Sequence, residues 1–191
     1  MRITGGQFRG RALVEPLDAR VRPTSDKARQ AIFNILTHNA FDTGFALAGA
    51  RIVDLFAGTG ALGLEALSRG ASFALFIDDN AESRALIRSN VEALNLTGAT
   101  KIWRRDATEL GPIGAGAGGP FELAMLDAPY RKGLTERALE SLSAGGWLAT
   151  HALAVAETSV DEMIATPAGF VLIDHRSYGE TAVHIFGNSP S

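Results

Sequence analysis

The chain has 191 residues, 46% of them hydrophobic and 20% charged, with a net charge of −3; that length suits one domain, burying roughly 70% of the surface its unfolded chain exposes. It contains no cysteine, which excludes disulfides, thiol nucleophiles and cysteine-based zinc sites and fits a reducing cytoplasm. No apolar stretch approaches the roughly 18 residues of a membrane span, the start lacks a charged-then-apolar signal segment, and His38, His151, His175 and His184 share no metal-ligand spacing, so the expectation is a cytoplasmic protein with no membrane segment and no metal.

The charge is unevenly divided along the chain. Residues 1–37 carry seven basic side chains (Arg2, Arg9, Arg11, Arg20, Arg22, Lys27, Arg29) against three acids (Glu15, Asp18, Asp26), a balance of +4 that leaves −7 on the rest. A basic arm on an acidic body points to phosphates. A solvated surface strand is the plainer reading of the same charges. Gly5-Gly6, between Arg2-Ile-Thr and Gln7-Phe-Arg9, can reverse a hairpin. Phe8 then offers a ring to stack on an unpaired base, or else anchors the arm to the core. Thr24 can cap a helix over about Ser25–Leu36, with Asp26 in its first turn and Ala28, Ile32, Ile35 and Leu36 as the apolar stripe.

The next unit begins at Arg51-Ile-Val-Asp54-Leu-Phe56, an apolar strand running into Ala-Gly58-Thr-Gly60 and then a helix with Leu62, Leu64 and Leu67 at near-helical spacing. Gly58, Gly60 and Gly63 fit the dinucleotide fingerprint, and a Cβ at Gly58 or Gly60 would keep the backbone away from a ligand. A packing turn between strand and helix accounts for the glycines too. Asp54 stands four residues before the first glycine, where a carboxylate repels a pyrophosphate but attracts an ammonium. A strand over Ser72–Ile77 ends in Asp78-Asp79, suited to accept ribose hydroxyls, and Asn80 or Asp79 can start a helix reaching about Leu94. Lys101–Arg105 reads as a short strand ending in Asp106-Ala107, placed to accept from an adenine amino group. Each of these acids could instead be a helix cap. Their recurrence at successive strand ends matters more, because open α/β sheets bind ligands outside the carboxyl ends of their strands.

Gly111–Pro120 is a low-complexity stretch, read as a mobile loop without chemistry. The apolar run Phe121–Leu126 follows and ends in Asp127-Ala128-Pro129-Tyr130. Asp127 and the Ala128 carbonyl can each accept one N–H of a planar exocyclic amine, and Tyr130 can lie against the attached ring. An ordinary strand-to-loop turn uses the same residue types. Thr135–Leu142 reads as a helix and Leu153–Ala156 as a strand. Phe170–Asp174 and Ala182–Phe186 read as an antiparallel pair around a turn near Tyr178-Gly179. The alternation predicts an α/β fold with a doubly wound, mostly parallel seven-stranded sheet, a C-terminal antiparallel pair and a basic N-terminal hairpin. The expected organisation is a single domain over 1–191: the arm and first helix in 1–37, the catalytic core in 50–191.

The stretch Asp54 to Ala71 resembles the motif I region of class I S-adenosylmethionine-dependent methyltransferases. Arg2-Ile-Thr-Gly-Gly-Gln-Phe-Arg-Gly-Arg11 and Arg22-Pro-Thr-Ser-Asp-Lys-Ala-Arg29-Gln-Ala-Ile-Phe-Asn34 resemble one family within that class, the bacterial (RsmD-type) methyltransferases of guanine N2 in 16S ribosomal RNA. The resemblance implies S-adenosylmethionine as cofactor, held by Thr24, Asp54, Phe56, Gly58, Gly60, Asp78, Asp79, Asp106 and Ala107. It implies catalysis by Asp127, Ala128, Pro129 and Tyr130, and RNA contacts from Arg2, Phe8, Arg9, Arg11, Arg22 and Arg29. The partner it implies is small-subunit RNA within an assembled or assembling 30S particle. One departure stands out: the family has Asp-Pro-Pro followed by Tyr or Phe, and here Ala128 replaces the first proline. The carbonyl acceptor survives, but the fixed φ of a proline is lost, so a looser loop and a slower enzyme are expected. Three rivals compete with this reading: a dinucleotide oxidoreductase, an amino-methyltransferase of another RNA or DNA base, and a non-catalytic ribosome-assembly factor of the same fold.

Overall fold

The structure, a computed structural model, describes residues 1–16, 25–38, 41 and 43–189. Thr24 and Arg22 lie outside the described residues. Among the described residues, four α-helices and seven strands follow in the order α1 (Asp26–His38), β1 (Arg51–Leu55), α2 (Ala61–Ser68), β2 (Phe73–Ile77), α3 (Ala81–Ala93), β3 (Thr100–Trp103), β4 (Phe121–Leu126), α4 (Leu134–Ala144), β5 (Leu148–Ser159), β6 (Phe170–Tyr178) and β7 (Thr181–Asn188). They build one seven-stranded sheet ordered β3-β2-β1-β4-β5-β7-β6. The first five strands in that order are mutually parallel, and β7 is antiparallel to both β5 and β6. From β1 the chain winds outward through β2 to β3, then returns to β4 on the other side of β1. The β1–β4 junction is therefore the point where the strand order reverses, the place where sheets of this kind bind ligands.

Alternation along the buried strands divides the apolar core between the two faces of the sheet. Ile52, Ala74, Phe76, Leu123 and Met125 pack with the N-terminal arm and with α1, α2 and α3. Val53, Leu55, Leu75, Ile77, Ala124 and Leu126 pack with α4 and Trp147. Two faces, each covered by helix, explain why β1, β2 and β4 read as largely apolar runs rather than alternating ones.

Local signals set the element ends. The Ser25 hydroxyl accepts from the Ala28 N–H (3.1 Å) at the start of α1. Asn80 caps α3 by accepting from Glu82 and Ser83 N–H, which settles the choice between Asn80 and Asp79. The strands β5, β6 and β7 extend beyond the expected Leu153–Ala156, Phe170–Asp174 and Ala182–Phe186. At β5, Leu148 pairs with Phe121 before the register shifts, and His151 has φ +63°, so the first part of the strand lacks an unbroken apolar pattern. The glycine-rich 111–120 stretch is tied down rather than loose. The Ile113 N–H donates to the Gly145 carbonyl (2.9 Å), Lys101 Nζ donates to the Gly116 carbonyl (2.6 Å), and Ala117 is fully buried.

The N-terminal arm folds back antiparallel, with Arg2 opposite Ala12. Its reversal runs through residues 6–10, not through a two-residue turn at Gly5-Gly6, because that dipeptide docks on α2. The Gln7 N–H donates to the Ser68 carbonyl (2.7 Å) and the Phe8 N–H to Ser68 Oγ (2.9 Å), satisfying groups at the C-terminal end of α2. Gly6 has φ +76°, and a Cβ there would run into the Ser68 carbonyl. This covering arm is why all eight residues of α2 are buried.

Candidate cofactor and amine-binding site

At the carboxyl end of β1 the chain turns sharply: Phe56 has φ +55°, Gly58 +56° and Gly60 +79°. A side chain as large as Phe56 in the left-handed region stores strain, which persists where the surroundings impose it. The three fingerprint glycines have different jobs. A Cβ on Gly63 would collide with the Phe76 ring, so Gly63 lets α2 approach β2. Gly58 faces open space, its nearest atom being the Phe56 carbonyl at 3.9 Å from such a Cβ. A Cβ on Gly60 would lie 3.3 Å from Ile87 and Phe76, so Gly60 serves packing rather than the close approach expected of it, and of the three only Gly58 leaves room for a ligand against the backbone.

Asp54 is 1% exposed, and its Oδ2 accepts from the Gly63 N–H (2.9 Å). Gly60 at the helix N-cap has no side chain, so Asp54 supplies the cap from the neighbouring strand. Its other oxygen, Oδ1, is buried with no hydrogen-bond partner among the described residues. Burial raises the Asp54 pKa well above the usual carboxylate range, and the charges of Asp127 and Asp78 add to the effect. Asp78, at the end of β2, accepts from the Gly58 N–H (2.8 Å) and the Asn80 N–H (2.9 Å). Its pKa is raised too, again mainly by burial. Asp54, Asp78 and Asp127 thus gather at one sheet edge, a field that favours a cation. An unmatched buried oxygen, an open glycine cradle and this negative field fit a ligand bearing an ammonium and a sulfonium. Among the described residues, no group of three His, Cys, Asp or Glu is arranged to hold a metal ion.

Beside the acids lies a cleft of about 170 Å³ lined by Phe56, Ile77, Asp78, Asp79, Arg105, Asp106, Ala107, Pro129 and Leu134. Five residues expected at a cofactor (Phe56, Asp78, Asp79, Asp106, Ala107) and one from the tetrapeptide (Pro129) share this wall. Asp106 is held below the usual carboxylate range by the Thr108 hydroxyl (2.7 Å) and N–H (2.8 Å), both donating to Oδ1. Sequence reasoning missed Ile77, Arg105 and Leu134. Arg105 stays at the wall because Nη1 donates to the Leu110 carbonyl (2.7 Å) and its guanidinium lies 5.3 Å from the Trp103 ring centre.

The tetrapeptide leaves β4 one residue after Leu126, which pairs with Leu55 of β1. Asp127 is half-buried, Ala128 buried, Pro129 exposed and Tyr130 half-buried. The Tyr130 hydroxyl donates to Glu157 Oε1 on β5 (3.0 Å). Glu157, which the sequence reading also missed, is an acid at a strand's carboxyl edge, like Asp78 and Asp127.

The residues expected to contact RNA divide. Arg2, Arg9 and Arg11 are exposed. Arg2 Nη1 donates to the Gly10 carbonyl (3.0 Å), and Arg11 Nη2 donates to the Ala93 carbonyl at the end of α3 (3.1 Å). Phe8 is half-buried against the core, which favours the anchor reading. Arg29 departs from expectation. It is fully buried, its Nε donating to Glu65 Oε2 (3.3 Å) and Nη2 to Asp26 Oδ1 (2.7 Å) and the Arg2 carbonyl, so it faces protein acceptors and not a phosphate.

Known proteins resemble this chain along nearly its full length. The signature of a family described as "Conserved hypothetical protein 95" matches residues 1–187. Ribosomal RNA small subunit methyltransferase D of Escherichia coli strain K12 is 37% identical over 188 residues, covering 97% of this chain and 89% of that protein. YlbH of Bacillus subtilis is 32% identical over 187 residues, covering 97% of this chain and 98% of its own length. The solved structure of yhhF from Escherichia coli superposes with a TM-score of 0.81 at 30% identity, covering 100% of this chain and 99% of that one.

Proposed function

This chain belongs to the conserved hypothetical protein 95 family and is a methyltransferase, and on that premise we propose that S-adenosylmethionine is its methyl donor and a guanine N2 of 16S ribosomal RNA its acceptor. The observation that carries this reading is the placement of Asp54 and Asp127 on neighbouring strands across the β1–β4 switch point, where Leu55 pairs with Leu126 and the Asp127 N–H donates to the Leu55 carbonyl (3.5 Å).

Cofactor-facing roles follow from the donor needs of each group. Asp54 Oδ1 would accept from the methionyl ammonium, and Asp78 from the ribose hydroxyls. Phe56, Ala107, Pro129 and Leu134 would wall the adenine, with Asp106 or Asp79 at its polar edge. The 170 Å³ cleft is smaller than the roughly 300 Å³ at which whole small-molecule sites begin, so it suits one end of the ligand, with Asp54 and Gly58 at the other. S-adenosylmethionine supplies a methyl group on a positively charged sulfur, which needs no covalent enzyme intermediate.

A guanine N2 amine is a poor nucleophile because its lone pair is delocalised into the ring. Asp127 and the Ala128 carbonyl, accepting one N–H each, pull the nitrogen toward a tetrahedral shape and aim the lone pair at the methyl group. Asp127 takes the released proton after transfer. Tyr130 packs on the base, which has left its stack to enter the site. With Ala128 in place of a proline, the acceptor carbonyl is less firmly set, and Ala128→Pro should speed turnover.

The substrate we propose is RNA within an assembled or assembling 30S particle in the cytoplasm. The tip of the arm lies at the far end of α2 from the glycine loop, roughly 12 Å away at 1.5 Å per residue for eight residues. Arg2, Arg9 and Arg11 would therefore hold RNA remote from the target base, as a preformed protein–RNA surface allows. The direct test incubates the protein and labelled cofactor with small subunits from a strain lacking the enzyme. Label on one guanine N2 is the expected result; label elsewhere, or none, contradicts the reading.

A further inference from the structure

Glu157 is a buried carboxylate, 3% exposed, that the reaction above leaves unused. Leu126 of β4 and Ala156 of β5 are direct partners, so Asp127 and Glu157 are the next residues of adjacent parallel strands at the same sheet edge. The Tyr130 hydroxyl reaches back across this edge and donates to Glu157 Oε1 at 3.0 Å. Tyr130 is thus fixed at two points, its Cβ on the loop and its hydroxyl on β5. A tyrosine fixed at one end sweeps an arc as its side-chain torsions change. Fixed at both ends, the ring can turn only about its long axis. It becomes a plate of set position and adjustable tilt beside Asp127.

We infer that Glu157 is a positioning residue for the substrate, holding Tyr130 by its hydroxyl so that the ring stands where the target base must pack. This rests on the proposed reaction, in which Tyr130 meets that base. Stacking that is equal in bound substrate and transition state appears in KM more than in kcat. Losing the tether therefore raises KM for the RNA and leaves the cofactor's affinity alone. Burial and the Glu157 charge also raise the Tyr130 pKa, so the hydroxyl remains a donor at neutral pH.

The test compares Glu157→Leu, Glu157→Gln, Tyr130→Phe and the Glu157→Leu/Tyr130→Phe double variant, each with 30S particles as substrate. Glu157→Leu should raise KM for the particle about tenfold, with kcat within about twofold and cofactor affinity unchanged. Glu157→Gln keeps an acceptor oxygen and should restore most of the loss. Tyr130→Phe should match Glu157→Leu, and the double variant should be no worse than either, since both remove one tether. Additive losses in the double variant, or Gln as poor as Leu, overturn the inference while leaving the reaction in place. If Glu157→Leu fails to fold, Tyr130→Phe with wild-type KM overturns it equally well. A wild-type protein that transfers no methyl group to RNA overturns the reaction, and this inference with it.

Discussion

Two buried carboxylates, one within α2 and one beneath its start, are treated oppositely. Glu65, within the helix, accepts from the Thr4 N–H (2.8 Å), the Thr4 hydroxyl (2.7 Å), Arg29 Nε (3.3 Å) and Arg69 Nε (2.8 Å). Asp54, beneath the helix start, accepts among the described residues only from the Gly63 N–H, and its Oδ1 has no hydrogen-bond partner there. A buried acid with its acceptors filled ties elements together, here the N-terminal arm and α1 onto α2. One left with an unmet oxygen at a ligand-facing edge is waiting for a donor the protein does not provide. For this pair, saturation separates the acid that builds the fold from the acid proposed to meet the cofactor.

Glu65→Ala should have the largest effect on this contrast. It removes the buried partner of Arg29 and should cost about 3–5 kcal/mol, roughly 10 °C in Tm for a chain of this size, read by thermal unfolding. A Tm within 2 °C of wild type would mean that the network around Glu65 is decoration. Asp54→Asn should do the reverse. Its Tm should hold or rise, since an ill-satisfied buried carboxyl is relieved, while cofactor affinity by calorimetric titration should fall about tenfold to a hundredfold.

The pH dependence sharpens the comparison. Asp54 has a raised pKa when folded, so above its unfolded pKa of about 3.9 the native state retains a proton that the unfolded chain has lost. Stability from this group is fully present below that pH and declines as pH rises toward the folded pKa. The difference in stability between Asp54→Asn and wild type should therefore grow in favour of Asn from about pH 4 upward, and shrink when cofactor is bound. Equal slopes for the two proteins, with and without cofactor, would remove Asp54 from the site. The smallest effect belongs to the arm. Arg9→Ala should weaken RNA binding uniformly and lower the salt slope by about one, with no change in kcat.

Much of this was legible from residue order, because the informative groups are local. Phe121–Leu126 followed by Asp127 to Tyr130 marks a strand and the chemistry proposed for its end, and the structure places that strand at the same residues. The acids at strand ends were readable for the same reason: an apolar run that stops at a carboxylate marks a sheet edge. Arg29 was not readable. Its main partner Glu65 lies 36 residues away, and an arginine bound for the interior looks like one bound for a phosphate. Glu157 was hidden differently, since β5 continues past it to Ser159 and no turn residue marks the edge. The C-terminal extension of β6 past Asp174 was obscured by His175 and Arg176, the polar residues an edge strand carries against aggregation.

The grip on the amine is tested most directly by single-turnover methyl transfer to 30S particles with Asp127→Asn, alongside cofactor titration of the same variant. Asparagine keeps the shape but loses the charge proposed to orient the nitrogen and take its proton. A rate lowered about a hundredfold to a thousandfold, with cofactor binding retained, is the predicted result. A variant as fast as wild type would contradict the assignment of Asp127.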